Sequence, residues 1–192
     1  MKSIKILFTL TLSVLFGLTS CEETTDVGEF DNWQSRNTQF IDSIAGVARA
    51  NTYGDWKVIL ADGLDPMKQW GNDCYVYCQV IEEGSGTEHP LFTDSVVVNY
   101  SGRLMPTYPT YPDGFLFDSS YSGDFNPSFN VPVGMPLSGT VPGFYTAVQD
   151  MVDGDRWKVY IPYQLGYGEK VSASIPACST LIFDINLVSF HH

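Results

Sequence analysis

Side chains suited to direct chemistry are few and scattered in this 192-residue sequence. His89, His191 and His192 do not combine with Cys74, Cys78 and Cys178 at a spacing that would hold zinc. No Ser/His/Asp arrangement stands out either, so no metal and no cofactor is expected. The three cysteines beyond residue 21 cannot all pair within one chain. Cys74 and Cys78 fall on one face of an expected strand, roughly 13 Å apart at about 3.3 Å per residue. A disulfide needs Cα atoms within about 7 Å, so buried free thiols are expected. The stretch with the clearest organisation is Val141–Gly168, VPGFYTAVQDMVDGDRWKVYIPYQLGYG. It reads as a short helix, a turn, a strand and a loop, and the hollow where that helix meets a sheet is the expected working site.

The elements that must form the hollow follow from local pattern. Pro142 suits the first turn of a helix, where a missing N–H costs nothing. Phe144, Ala147, Val148 and Met151 recur at i, i+3, i+4 and i+7, one apolar face at helical period. Asp153-Gly154 then marks a turn with positive φ. Trp157, Val159 and Ile161 alternate with Arg156, Lys158 and Tyr160 at strand period. A helix this short is marginal alone and must be held by packing.

Further strands are expected at Trp56–Leu60, from Cys74 to Ile81, from Ser95 to Tyr100, beginning at Phe115–Asp118, and from Thr180 to Phe190. Strands outnumber helices, and short Gly/Pro turns separate them. The expected fold class is therefore α+β, an antiparallel sheet wrapped around one short helix, over residues 74–192. Ahead of it, residues 21–73 read as a tether, a helix and one short strand. Trp33, Phe40, Ile41, Ile44, Val47 and Ala48 give an approximate helical stripe from about Phe30 to Asn51, weakened by Gly46 and by Asn37-Thr38. Residues 105–114, MPTYPTYPDG, place prolines three apart and favour an extended, solvent-side loop, either a hairpin tip or a ligand-facing flap.

Charge and address narrow the function classes. The formal net charge is −12 and only ten side chains are Lys or Arg, which excludes a phosphate-binding surface of clustered cations and with it a nucleic-acid partner. Residues 1–20 combine Lys2 and Lys5 with an apolar run from Ile6 to Leu18, the pattern of an export signal. Leu18-Thr19-Ser20-Cys21 resembles a bacterial lipobox, so Cys21 is the expected lipidation site. The plain alternative is an ordinary signal peptide. Glu22, Glu23 and Asp26 resemble the surface-export signal of some Bacteroidetes lipoproteins. The expected location is lipid-anchored at the bacterial outer membrane, periplasmic or surface-exposed. Removing Lys2 and Lys5 leaves eight basic against 22 acidic side chains, a mature charge of −14.

Several separated motifs carry a resemblance. VVVNYSGRL, FLFDSS, VPGFYTAVQDM, YGEK and IPACSTLIFDINLVSF stand in the order, and near the spacing, of FKBP-type peptidyl-prolyl cis-trans isomerases, from about residue 75 to 190. The resemblance implies a pocket for a proline side chain. It gives Tyr100, Phe117, Asp118 and Tyr167 the catalytic positions, the Tyr167 hydroxyl bonding a ligand carbonyl. It gives Phe129, Val141, Phe144, Ile175 and Phe183 the substrate-binding ones, with the Val141 N–H holding a substrate carbonyl. Phe144 stands where many members place a tryptophan, which keeps an apolar floor but removes indole area and an N–H. The implied partners are proline-containing peptides, unfolded exported proteins and macrolide ligands. A non-catalytic, chaperone-like binding module for such segments is the alternative function.

Overall fold

The computed structural model describes residues 28–192. The export signal, Cys21 and the acidic run at 22–26 lie outside the described residues. Strands β1 (Trp56–Leu60), β2 (Tyr75–Glu82), β3 (Ser95–Leu104), β4 (Leu116–Ser119), β5 (Val133–Pro136), β6 (Arg156–Ile161) and β7 (Leu181–His191) form one sheet, with helices α1 (Trp33–Ala50) and α2 (Pro142–Val148). The sheet order is β1-β2-β6-β7-β3-β4, with β5 also paired to β3, and every pairing is antiparallel.

Alternation along the strands separates two apolar layers. Val76, Cys78, Trp157, Val159, Ile161, Leu181, Phe183, Ile185 and Leu187 face the α2 side, where they bury Phe144, Ala147, Val148 and Met151. The four positions expected on the inner face of α2 are all buried, although the helix closes at Val148 and leaves Met151 beyond it. Gly154, at φ +95°, makes the expected turn into β6. Asp155 fixes that turn: its carboxylate accepts from the Val152 and Gly84 N–H groups, at 2.8 Å each.

The opposite layer exists because of α1. Tyr77, Tyr160 and Ile182 point away from α2 and would meet water on a bare sheet. They are buried instead against Ile41, Ala45 and Ala48. The buried face of α1 runs Trp33, Asn37, Ile41, Ala45, Ala48. Val47, expected on that face, is 53% exposed, because the stripe is centred one residue away. Asn51 ends the helix in the left-handed region, its N–H donating to Val47 O at 3.1 Å. Its side-chain amide brackets the backbone N–H and C=O of Trp56 and so hands the chain to β1.

β1 is an edge strand of the same sheet, paired with β2 from Trp56↔Gln79 to Leu60↔Tyr75, so a boundary at 73/74 cuts through hydrogen-bonded structure. Cys74 lies in a single helical turn, Asn72–Cys74, rather than in β2; all three described cysteines are free, and Cys78 and Cys178 are buried. The 105–114 segment is a hairpin tip closed by reciprocal Thr107–Tyr111 backbone bonds of 2.9 and 2.7 Å. It packs beside Phe30 and Trp33 at the entry to α1. No described helix is long and apolar enough to cross a membrane.

Candidate functional site

A hollow of about 400 Å³ opens between the N-terminus of α2, strands β3 to β5 and the loop before β7. Its floor is made of rings. Phe144 from α2 and Phe183 from β7, 3% and 6% exposed, meet edge to face at 5.2 Å between centroids. Tyr100 from β3 stands over both, 6.4 Å from Phe144 and 6.2 Å from Phe183. Such edge contacts put positive ring edges against negative faces and hold the rings in fixed orientation. Gly102 makes the arrangement possible, since a β-carbon there would come within 2.5 Å of Phe117 and 2.8 Å of Phe183.

The polar groups are few and placed at the rim. The Tyr100 hydroxyl donates to Asp118 Oδ2 at 2.8 Å. Burial, reinforced by that bond and by the carboxylate's charge, pushes the Tyr100 phenol up to about 12, so it stays a neutral donor. The register that brings the pair together is set where β3 meets β4. There the Tyr100 N–H donates to Ser120 Oγ, the Tyr100 carbonyl accepts from the Ser120 N–H, each at 2.9 Å, and the Ser119 hydroxyl donates to the same carbonyl at 3.2 Å. The FDSS motif is thus a joint that aims Asp118 at Tyr100.

Val141 caps α2 from an extended conformation, its carbonyl accepting from the N–H groups of Phe144 and Tyr145. Its own N–H, at the wall of the hollow, donates to no described residue. Tyr167, 41% exposed, leans over from the opposite rim. The loop carrying it is tied by Gly168 N–H to Tyr163 O at 2.8 Å and by Cys178 N–H to Gly168 O at 2.9 Å. Rings below and unengaged donors above suit a ligand that is apolar at its centre and carbonyl-rich at its edges.

Of the nine positions named from the sequence, Tyr100, Asp118, Val141, Phe144, Tyr167 and Phe183 line the hollow. Phe117 lies behind Phe183, ring to ring at 5.6 Å, and Ile175 is buried in the cluster beneath. Both support the wall rather than line it. Phe129 is a correction. It is 82% exposed, because Asn126 winds residues 126–130 into a tight turn: the Phe129 and Asn130 N–H groups donate to the Asn126 carbonyl, and the Asn126 N–H to Asn130 Oδ1. Met135 of β5 lines the hollow instead. Its alternation with Val133, just after Pro132, was the signal available for it. Among the described residues no group of three or more His, Cys, Asp or Glu is placed to hold a metal ion.

Comparison with known proteins agrees with this geometry. A family model described as FKBP-type peptidyl-prolyl cis-trans isomerase matches residues 86–188, more than half of the chain. The chain is 38% identical over 111 residues to the FKBP-type 22 kDa peptidyl-prolyl cis-trans isomerase of Escherichia coli, covering 57% of this chain and 47% of that one. It is 37% identical over 110 residues to FkpA of the same organism, covering 57% and 36%. The chain thus spans about half, or less, of the length of these curated relatives. Among solved structures, a peptidyl-prolyl cis-trans isomerase from Pseudomonas syringae pv. tomato superposes with a TM-score of 0.57 at 24% identity, covering 83% of this chain and 96% of that one. FkpA from Escherichia coli gives 0.51 at 27% identity, covering 82% and 63%.

Proposed function

The chain belongs to the FKBP-type peptidyl-prolyl cis-trans isomerase family, and from that premise we propose that its ring-lined hollow seats a prolyl side chain and eases rotation about the preceding amide bond. The observation that carries the proposal is the meeting of Tyr100, Phe144 and Phe183 over one hollow, with the Val141 N–H unengaged at its rim.

The chemistry needs no nucleophile. Amide resonance sets the barrier to X–Pro rotation, and exchange takes tens to hundreds of seconds unaided. In the twisted transition state the nitrogen lone pair leaves the carbonyl, so the amide is less charge-separated than when planar. Water stabilises the planar form better. A water-excluding floor of rings removes that preference and so favours the twisted form over the ground state, which is what catalysis requires. The Val141 N–H and the Tyr167 hydroxyl hold flanking carbonyls without polarising the reacting one. Lowering the barrier by roughly 4–5.5 kcal/mol accelerates rotation by about three to four orders of magnitude.

The substrates proposed are proline-bearing segments of exported, incompletely folded proteins, with macrolides as competitors. Phe144 leaves a floor without an indole N–H, so macrolides bind here more weakly than where a tryptophan stands. The anchor proposed at Cys21 places the domain at the outer membrane, periplasmic or surface-exposed; labelling with an alkynyl fatty acid that persists in Cys21→Ser would refute it. For catalysis, the test is cis–trans exchange of several X–Pro peptides with wild type, Tyr167→Phe, Phe117→Ala and Asp118→Ala. Wild type is expected to accelerate exchange and each variant to lose about three- to a hundredfold, the equivalent of one hydrogen bond or one truncated ring. Equal inactivity of all four on every peptide would end the proposal.

A further inference from the structure

The loop bearing Tyr167 runs from the single helical turn Tyr163–Leu165 to the start of β7 and has little regular structure of its own. Internally it holds the two Gly168 bonds and a Ser172–Ile175 bridge. Ile175 and Leu165 pack into the core, and the side-chain hydrogen bonds that tie the loop to the rest of the protein come from the first two turns of α1. Trp33 Nε1–H donates to Ser179 Oγ at 2.9 Å, and that hydroxyl donates onward to Pro176 O at 2.7 Å. Asn37 Oδ1 accepts the Thr180 N–H at 2.7 Å while its Nδ2 donates to Trp33 O at 2.8 Å. Gln34 Nε2 donates to the Tyr163 hydroxyl at 3.0 Å. Both ends of the loop are therefore bonded to one helix.

Asn37 is an unusual choice for its position. It is wholly buried in a helix interior, where alanine or leucine has higher helix propensity and no polar group to desolvate. Both ends of its amide are used, one to meet a backbone N–H just before β7 that would otherwise be buried without a partner. Thr180 precedes Phe183 by three residues, Pro176 follows Ile175, and Tyr163 precedes Tyr167 by four. Each anchor is thus short-coupled to a residue of the hollow or of its supporting wall.

We infer that Trp33 and Asn37 are positioning residues for the proposed isomerase reaction: through Ser179 and Thr180 they clamp the 163–180 loop and thereby fix the Tyr167 hydroxyl over the hollow. This rests on the functional reading above, and two measurements on the full chain separate the two. The first is amide hydrogen exchange followed by mass spectrometry in wild type, Asn37→Ala and Trp33→Phe. Trp33→Phe keeps a ring in place but removes the indole N–H, and so covers the case in which Asn37→Ala does not fold. The amides of Gly168 and Cys178 are expected to exchange about tenfold faster in either variant, the effect of one lost buried hydrogen bond, with β3 and β6 unchanged. Unchanged protection of the loop, or equal acceleration across the sheet, overturns the inference.

The second is a double-mutant cycle on peptide isomerisation with Tyr167→Phe. Asn37→Ala and Trp33→Phe are each expected to lower kcat/KM about fivefold or more, and to add little in the Tyr167→Phe background, since the hydroxyl they place is already gone. Fully additive losses would mean general destabilisation and overturn the clamp. Inactive wild type overturns the functional reading, and the clamp on the loop is then decided by the exchange data alone.

Discussion

At the scale of single residues, the Tyr100–Asp118 pair has a consequence that reaches beyond the hollow. The folded protein holds the Tyr100 proton more tightly than the unfolded chain, because burial first and the bond to Asp118 second raise the phenol from 10.0 to about 12. The stability this contributes is intact below about pH 10 and is lost as pH rises from about 10 toward 12. Urea midpoints measured across that window should fall less steeply for Tyr100→Phe, which cannot ionise, than for wild type; parallel slopes would refute the tighter hold on the proton. Six of the nine named positions fall on one hollow because motif order places them on elements whose pairing the sequence also dictates. Phe129 does not, since side-chain and backbone bonds of Asn126 and Asn130 decide where it points and no apolar periodicity records them. Asn37 misled in the other direction. A polar residue in an apolar stripe reads as a weak point, yet here it is buried and fully bonded.

At the scale of elements, strand alternation was readable wherever one face of the sheet is covered, as in β6, whose Trp157, Val159 and Ile161 all turn inward. β5 was marked only by the Val133/Met135 alternation. Four residues containing Gly134 and Pro136, just after Pro132, have little strand propensity, and they extend because the N-terminal half of β3 offers a hydrogen-bonding edge. The 105–114 segment takes the first of the two forms its composition allows, a hairpin tip. It meets the entry to α1 through Thr107, whose hydroxyl donates to Glu29, and Tyr111, which packs on Phe115, while Tyr108 is left 81% exposed. None of its residues lines the hollow. Replacing residues 106–113 with an Asn-Gly turn should leave peptide turnover within about twofold while costing about 1–2 kcal/mol of stability by urea unfolding. A large loss of turnover at unchanged stability would show that the hairpin reaches the substrate after all.

At the scale of the whole molecule, the sheet is covered by a helix on each face, and the two helices have different tasks. α2 supplies the floor of the hollow through Phe144 and its mouth through Val141. α1 covers Tyr77, Tyr160 and Ile182 behind it. The α+β class followed from the count of alternating segments. That β1 belongs to the same sheet did not, because edge pairing depends on what α1 buries rather than on the strand's own five residues. What this assembly does to a prolyl bond can be read by NMR exchange spectroscopy. An Ala-Pro peptide is mixed with a substoichiometric amount of the full chain, and its cis and trans proline signals are followed. Exchange in the protein-bound peptide is expected to be about a thousandfold or more faster than unaided, with the Val141 amide shifting as peptide is added. Cis–trans exchange at the uncatalysed rate, with the Val141 amide unmoved, would contradict the proposed isomerase function.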